Sequence, residues 1–156
     1  MKKFTTKDFS ETQKLGEEFA EETLRRGSGP AALVLALQGE LGAGKTTFLQ
    51  GFARGLGVKE KILSPTFIIL KKFKIKSDKR QETSDKRFKN FYHIDCYRLN
   101  KPEEILNLGF REIITNSENI VAIEWPEKIE NILPENITSI KFEHLEKNKR
   151  EILIRL

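Results

Sequence analysis

The sequence predicts a single three-layer α/β domain over residues 1–156, with a mixed sheet and a C-terminal antiparallel hairpin. The first observation is a continuous apolar run at 31–37, typical of a strand buried on both faces, which leads through a glycine-rich turn into a helical pattern at 45–57. The second is that strand-like runs alternate with helical spacing through the middle of the chain. The third is the C-terminus, which alternates apolar and polar positions on both sides of a polar turn at 146–149.

The first helix is predicted over 10–27. Ser10 followed three residues later by Gln13 matches a capping box, and Gly27 supplies a stop signal. Leu15 and Phe19 lie one helical turn apart, which gives this helix one apolar face.

The elements after the glycine-rich turn are predicted from apolar runs and from the turn residues between them. Residues 74–90 form a basic insertion that is predicted to be an exposed hairpin or loop. The predicted elements are a turn and strand at 64–73, a strand at 91–99, a helix at 101–114 that starts near Pro102, a strand at 119–127 and the hairpin at 137–156.

The glycine-rich turn carries the spacing of a phosphate-binding loop. Gly39 is followed after four residues by Gly44, Lys45 and Thr46, which is the pattern G-x-x-x-x-G-K-[ST] between a strand and a helix. Glycines let successive backbone N–H groups face one anion, and the helix N-terminus adds a partial positive charge. Lysine reaches the β- and γ-phosphates, and the threonine hydroxyl is a Mg²⁺ ligand. We therefore expect nucleotide contacts from Gly39, Glu40, Leu41, Gly42, Ala43, Gly44, Lys45, Thr46 and Thr47.

Two carboxylates stand at the ends of predicted strands, where a Mg²⁺-triphosphate needs one. Asp95 follows the run FYHI, and Glu124 follows VAI. Each could hold the metal, hold it through a water or orient an attacking water. Either residue could instead be a solvated strand end.

The remaining motifs narrow the class of phosphate-loop protein. A GTPase needs a D-x-x-G element, which the sequence lacks, and an N-K-x-D element, for which NKPE at 100–103 ends in Glu103 instead of Asp. A small-molecule kinase usually carries an arginine-bearing lid, for which the lysine-dominated segment 71–90 is poorly suited. The residues alone leave two alternative functions. One is a kinase, which would consume ATP only with an acceptor, and the other is a non-catalytic module that binds nucleotide or tRNA.

Read together, five stretches resemble one family. GELGAGKTTF, SPTF, HIDCYRL, EEILNLGF and IEWPE occur in the order and approximate spacing of the TsaE (YjeE) family of bacterial ATPases, from about Ser10 to Arg150. The resemblance implies a Mg²⁺-dependent ATPase that serves in making N6-threonylcarbamoyladenosine in tRNA. It also implies that the protein is not the transferase, and that it acts on a TsaB–TsaD pair in which TsaD modifies adenosine 37.

The resemblance also implies roles for individual residues. Lys45, Asp95, Glu124 and Thr66 would serve in catalysis, and Thr46 and Glu124 would hold Mg²⁺. Thr66, in SPTF, would lie on a switch-like loop that faces the γ-phosphate. Three further positions resemble nucleotide contacts of the family, two at the start of the first helix and one near the C-terminus. They are Glu11, Thr12 and Arg150.

Charge is concentrated in one segment. The net charge is +5, yet residues 71–90 hold nine Lys or Arg and three acids, so the rest of the chain has 19 bases and 20 acids. This segment is a solvated hairpin, a contact for the tRNA backbone or a contact for an acidic partner face. Residues 74–90 look longer and more basic than the corresponding hairpin of the family.

Composition predicts a cytoplasmic protein with no membrane partner. Cys96 is the only cysteine, so no internal disulfide is possible, and no apolar run approaches the length of a membrane span. Cys96 is expected to be a small buried hydrophobe. His93 shares a strand face with Asp95, so it is either structural or helps to position a water or a phosphate. Trp125 either packs in the core or lies beside the nucleotide.

Overall fold

The computed structural model describes residues 1–63, 68–76 and 88–156. Within these ranges seven strands form one mixed sheet, flanked on both faces by helices. The elements in chain order are β1 (Lys2–Thr6), α1 (Phe9–Arg26), β2 (Leu33–Gln38), α2 (Lys45–Gly55), β3 (Leu70–Lys74), β4 (Asn90–Asp95), α3 (Glu103–Leu106), α4 (Phe110–Thr115), β5 (Asn119–Glu124), a 3₁₀ segment (Pro126–Ile132), β6 (Thr138–His144) and β7 (Arg150–Arg155).

The strand order is β1-β7-β6-β2-β5-β4-β3. The four central strands are parallel, because β2 pairs with both β5 and β6 and β4 pairs with β5. The outer pairs β1–β7, β6–β7 and β3–β4 are antiparallel. The predicted mixed α/β sheet and the C-terminal antiparallel hairpin are therefore confirmed.

Parallel pairing brings three strand ends to one edge of the sheet. Leu37 near the end of β2 lies opposite Glu124 at the end of β5, and Asp95 at the end of β4 also lies opposite Glu124. The chain leaves β2 at this edge and enters the phosphate loop, so the topology gathers the two predicted carboxylates beside the loop.

Two apolar cores lie on the two faces of the sheet. One contains α1 and α2 and is rich in phenylalanine. Phe48 and Phe142 pack edge to face there, with ring centroids 5.6 Å apart. The other contains α3 and α4 and includes Ile105 and Phe110. Each face buries apolar side chains that would otherwise meet water, which stabilises the layered arrangement.

Helices α1 and α2 pack backbone against backbone through glycines. A Cβ atom added to Gly51 would lie 1.8 Å from the carbonyl oxygen of Gln13, and one added to Gly16 would lie 2.2 Å from that of Phe48. Because no side chain fits at these crossings, glycine holds the first helix close against the helix that follows the phosphate loop.

Several local predictions were wrong. The predicted Ser10–Gln13 capping box is replaced by a related pair of bonds two residues earlier, in which Asp8 Oδ1 accepts from the Glu11 N–H at 2.9 Å and Glu11 Oε2 accepts from the Lys7 N–H at 2.8 Å. β1 was not predicted. The predicted helix at 101–114 is two short helices separated by Gly109 in the left-handed region, with φ of 80°.

The predicted strand ends also shift. The strand predicted at 91–99 ends at Asp95, and the one predicted at 119–127 ends at Glu124. Residues 64–67 of the turn and strand predicted at 64–73, and residues 77–87 of the basic segment, lie outside the described residues. Among the described residues, no helix has both the length and the apolar character needed to cross a bilayer.

Candidate functional site

The phosphate loop lies between β2 and α2 with the backbone conformation that its glycines predict. Gly39, Gly42 and Gly44 have φ values of 144°, 79° and 104°, in the region that glycine adopts without strain. Gly44 is the N-cap of α2, and no side chain caps this helix end. The first N–H groups of α2 therefore point into the loop, where they can bind an anion.

Lys45 lies folded beneath the loop. It is 4% exposed, and its Nζ donates to the carbonyl oxygens of Gly39 at 2.6 Å and Glu40 at 2.9 Å. The ring of Trp125 covers the ammonium at 4.1 Å from its centroid. Burial lowers the pKa of Lys45 below its usual value, and the carboxylates of Glu124, Glu127 and Asp95 oppose that effect. A buried cation is thus held at the base of the anion-binding loop.

Three buried or partly buried side chains from three elements meet beside Lys45. Thr46 Oγ1, in α2, lies 3.0 and 3.2 Å from the two carboxylate oxygens of Glu124, in β5. His93 Nε2, in β4, lies 2.8 Å from Glu124 Oε1. Since a carboxylate only accepts, both neighbours donate to it. The sequence predicted that Thr46 and Glu124 act together, and the structure brings them into contact.

Asp95 lies at the same edge of the sheet. Its Oδ1 accepts from the backbone N–H of Tyr97 at 2.9 Å, which orients the carboxylate at the start of the turn after β4. Thr66, the fourth residue predicted to act in catalysis, lies outside the described residues.

A cavity of about 230 Å³ opens in front of the loop. Three aromatic residues line it. From the sequence, two of them had no predicted site role and the third was left between core packing and nucleotide contact, because each looks like an ordinary core residue. Tyr97 and Trp125 pack together with ring centroids 5.0 Å apart, and Phe9 is 61% exposed at the first residue of α1. The lining consists of residues 41–47 of the loop, Asp95, Glu124, Phe9, Tyr97 and Trp125.

Arg150 reaches the loop from the far end of the chain. A Cβ atom at Gly44 would lie 3.4 Å from Arg150 Cδ and 3.8 Å from Thr12 Cγ2, so both predicted residues lie beside the loop. The guanidinium carbon lies 5.7 Å from the centroid of the Phe9 ring. Arg150 is 7% exposed, and its Nη1 has no hydrogen-bond partner within the described part of the chain.

Glu11, a predicted nucleotide contact, also stabilises the start of α1. Its carboxylate accepts from the N–H of Lys7, one residue before the N-cap. The next residue, Thr12, is 2% exposed and shares a hydrogen bond with Thr6 Oγ1 at 2.8 Å. The start of α1 therefore approaches the loop through Thr12 and Phe9.

The residues present fit a phosphate-bearing ligand with Mg²⁺. The loop amides, Lys45 and the unpaired buried guanidinium nitrogen of Arg150 are all donors that an anion can satisfy. Thr46 and Glu124 offer oxygen ligands. Among the described residues no three His, Cys, Asp or Glu side chains converge as a metal cluster. The two oxygen ligands from Thr46 and Glu124 are as many as Mg²⁺ usually takes from a protein, since water and phosphate oxygens complete its shell.

Comparisons with known proteins identify the family of the chain. The sequence model of a family described as "Threonylcarbamoyl adenosine biosynthesis protein TsaE" matches residues 6–152. The chain is similar to the "tRNA threonylcarbamoyladenosine biosynthesis protein TsaE" of Haemophilus influenzae, with 38% identity over 122 residues that cover 78% of this chain and 69% of that protein. It is 36% identical to the Bacillus subtilis protein of the same name over 119 residues, which cover 76% of this chain and 66% of that protein.

A solved structure shares the fold. A crystal structure of Bacillus subtilis YdiB superposes with a TM-score of 0.68 at 27% sequence identity, covering 98% of this chain and 83% of that one. The match spans the sheet and the loop together, and the family match spans nearly the whole sequence. The chain therefore belongs to the TsaE family.

Proposed function

We propose that this protein is a Mg²⁺-dependent ATPase that supports formation of the threonylcarbamoyl group on adenosine 37 of tRNA. The observation that carries the proposal is the contact between Thr46 and Glu124 at the mouth of the phosphate loop, at 3.0 Å. A strand-end carboxylate placed on the loop threonine is the arrangement that a Mg²⁺-triphosphate requires. The names of the relatives supply the process that the nucleotide would serve.

Binding of the phosphates would fall to the loop amides and Lys45. The ammonium has three N–H donors, so it can donate to the carbonyls of Gly39 and Glu40 and still donate to a phosphate oxygen. Trp125 shields one side of this cation from water, which strengthens its interaction with an anion. Positive charge held in place before the reaction stabilises charge that develops on the transferring phosphoryl group.

The carboxylates would divide the remaining tasks. Thr46 donates its hydroxyl proton to Glu124, so the lone pairs of its oxygen are available to a cation. Mg²⁺, when bound, would neutralise phosphate oxygens. Asp95, oriented by the Tyr97 N–H, lies on the next strand and would hold the attacking water or a water of the metal shell.

We propose a TsaB–TsaD pair as the partner. In this scheme TsaD transfers the threonylcarbamoyl group, and ATP hydrolysis by this protein resets the pair between turnovers. Location in the cytoplasm stays a prediction.

The basic segment offers a second surface, which we propose contacts either tRNA or a protein partner. Lys71, Lys72 and Lys74 are exposed on β3, the edge strand of the sheet. They can meet the tRNA backbone or an acidic partner face. Binding of tRNA by the isolated chain, with a steep loss at higher salt, would assign the surface to tRNA. Binding that needs the protein pair would assign it to the partner.

The test is the ATPase rate of the pure protein, alone and with a purified TsaB–TsaD pair. We expect a low basal rate that rises with the pair and is lost in Lys45→Ala. Lys14→Ala, at an exposed position on α1, is the matched control and should keep the rate. Circular dichroism checks that both variants fold.

Other outcomes would point to other functions. Turnover that ignores the pair but requires a small acceptor would favour a kinase. Normal support of tRNA modification in Glu124→Ala and Asp95→Ala would favour a non-catalytic module. An unchanged ATPase rate in folded Lys45→Ala would refute the loop assignment.

A further inference from the structure

His93 is buried in the sheet, next to the carboxylate of Glu124. It is 1% exposed, and Glu124 is 3% exposed. A buried imidazole costs free energy unless its polar atoms are hydrogen-bonded, and Nε2 lies 2.8 Å from Glu124 Oε1. The contact therefore ties a residue of β4 to the strand-end carboxylate of β5.

Glu124 is held from two sides. His93 reaches Oε1 from the sheet, while the Thr46 hydroxyl reaches both carboxylate oxygens from α2. With Nε2 donating, the imidazole carries its proton on Nε2, and the carboxylate plane is fixed between two donors. The orientation of Glu124 in turn decides where the Thr46 proton points, and so where the lone pairs of that oxygen face.

The position of His93 in the sheet leaves space for this contact. Its neighbour across β4 and β5 is Ala122, whose methyl group leaves room beside the imidazole ring. Phe91 and Ala122 on the same sheet face belong to the apolar core, so a residue that only filled space here would be apolar. The hydrogen bond, and not packing alone, explains a histidine at this position.

We propose that His93 is a positioning residue that orients Glu124, and through it Thr46, toward the Mg²⁺ side of the nucleotide site. The inference rests on the proposed Mg²⁺-nucleotide function and deepens it. Groups that orient metal ligands typically contribute about 10- to 100-fold to metal affinity or activity. His93 would act on the metal-dependent part of nucleotide binding and leave the metal-free part unchanged.

Three substitutions separate positioning from packing. Gln places its Nε2 close to the position of the His Nε2, so His93→Gln should keep the bond to Glu124. Asn is shorter and reaches only as far as the His Nδ1, so His93→Asn should lose the bond. His93→Phe fills the space of the ring without any donor, so it should lose the bond while keeping the packing.

The experiment is calorimetric titration of each variant with ADP, once with Mg²⁺ and once with a chelator. We expect His93→Asn and His93→Phe to bind Mg²⁺-ADP about 10- to 100-fold more weakly, with unchanged affinity in the chelator, and His93→Gln to remain within a few-fold of the parent protein. Equal behaviour of the Gln, Asn and Phe variants, or equal losses with and without Mg²⁺, would overturn the proposal.

Asn90→Ala is the matched control. It removes another buried hydrogen bond between the same two strands, from Asn90 Nδ2 to Asn119 Oδ1 at 2.9 Å, at the end of the sheet away from the loop. It should lower the melting temperature without changing the Mg²⁺ dependence. If the parent protein itself bound no nucleotide, the proposed function would fail, which is a result distinct from failure of the His93 assignment.

Discussion

Replacement of Arg150 by methionine should separate the stability of the free protein from its affinity for nucleotide. The guanidinium is buried beside Gly44, and its Nη1 has no hydrogen-bond partner within the described residues. A buried donor without a partner costs about 1–3 kcal/mol. Methionine keeps much of the length and packing of the side chain, and gives up the contact with the Phe9 ring, worth about 0.5–1 kcal/mol.

The gain from removing the unsatisfied donor, less the loss of the Phe9 contact, predicts that Arg150→Met leaves the nucleotide-free protein equally stable or more stable by up to about 2.5 kcal/mol. The effect on binding has the opposite sign. A charge-assisted hydrogen bond to a phosphate contributes about 1.5–3 kcal/mol. Its loss should weaken ADP binding by about 10- to 150-fold.

The assay is urea unfolding of the parent protein and the variant, with and without ADP, together with a calorimetric Kd. Arg155→Met, at the exposed end of the same strand, is the matched control and should change neither quantity. A variant that is destabilised without ADP and yet binds it with the parent affinity would refute the reasoning. It would show that Arg150 serves the packing of β7 and not the ligand.

Three further predictions concern the scaffold. Gly51→Ala should destabilise by about 1–3 kcal/mol or more, because its Cβ would lie 1.8 Å from a carbonyl oxygen of α1, whereas Gly29→Ala, with open space around it, should change the urea midpoint little. Burial raises the pKa of the Cys96 thiol to about 12 from an ordinary 9.0, so the native thiol should resist alkylation at neutral pH. The stability that this shift contributes is complete below the ordinary value and should be lost as the pH rises toward 12, which urea unfolding at alkaline pH would detect; rapid labelling of the folded protein would contradict the burial. Asp8→Ala should cost about 1 kcal/mol of stability as a lost helix cap, while Ser10→Ala should be nearly neutral, and the reverse order in urea unfolding would contradict the capping geometry.

The central part of the fold could be predicted because its signals are local. The run 31–37, the glycine-rich loop and the helix after it occupy one continuous stretch, and their order determines how the chain must turn. The strands that carry Asp95 and Glu124 are also continuous apolar runs. Parallel pairing then places their ends at one edge beside the loop, so the contact of Thr46 with Glu124 follows from topology.

The edge of the sheet could not be predicted in the same way. β1 is five residues long, and Phe4 is its only apolar residue. Its partner is β7 at the opposite end of the chain, as the pairing of Lys2 with Ile154 shows. A short, mostly polar strand whose stabilisation comes from such a distant partner leaves almost no local signal.

The predicted start of the first helix was wrong for a related reason. Asp8 and Ser10 are both good cap residues, and each has a partner three residues later that can complete a capping box. Which of the two residues caps the helix depends on where the chain leaves β1, and this is set by tertiary structure. The same dependence sets Glu11 at the helix start, while its neighbour Thr12 lies beside Gly44.

Gly44 shows why the site needs residues from both ends of the chain. Its φ of 104° is a conformation that other residues adopt only with strain, and a Cβ there would also touch Arg150 and approach Thr12. The glycine therefore turns the loop amides toward an anion, while side chains of α1 and β7 lie at ordinary contact distance around it. A motif search detects the glycine but does not reveal these neighbours. The loop sequence alone thus predicts phosphate binding, whereas the donors that surround the rest of the ligand depend on how α1 and β7 pack against the motif.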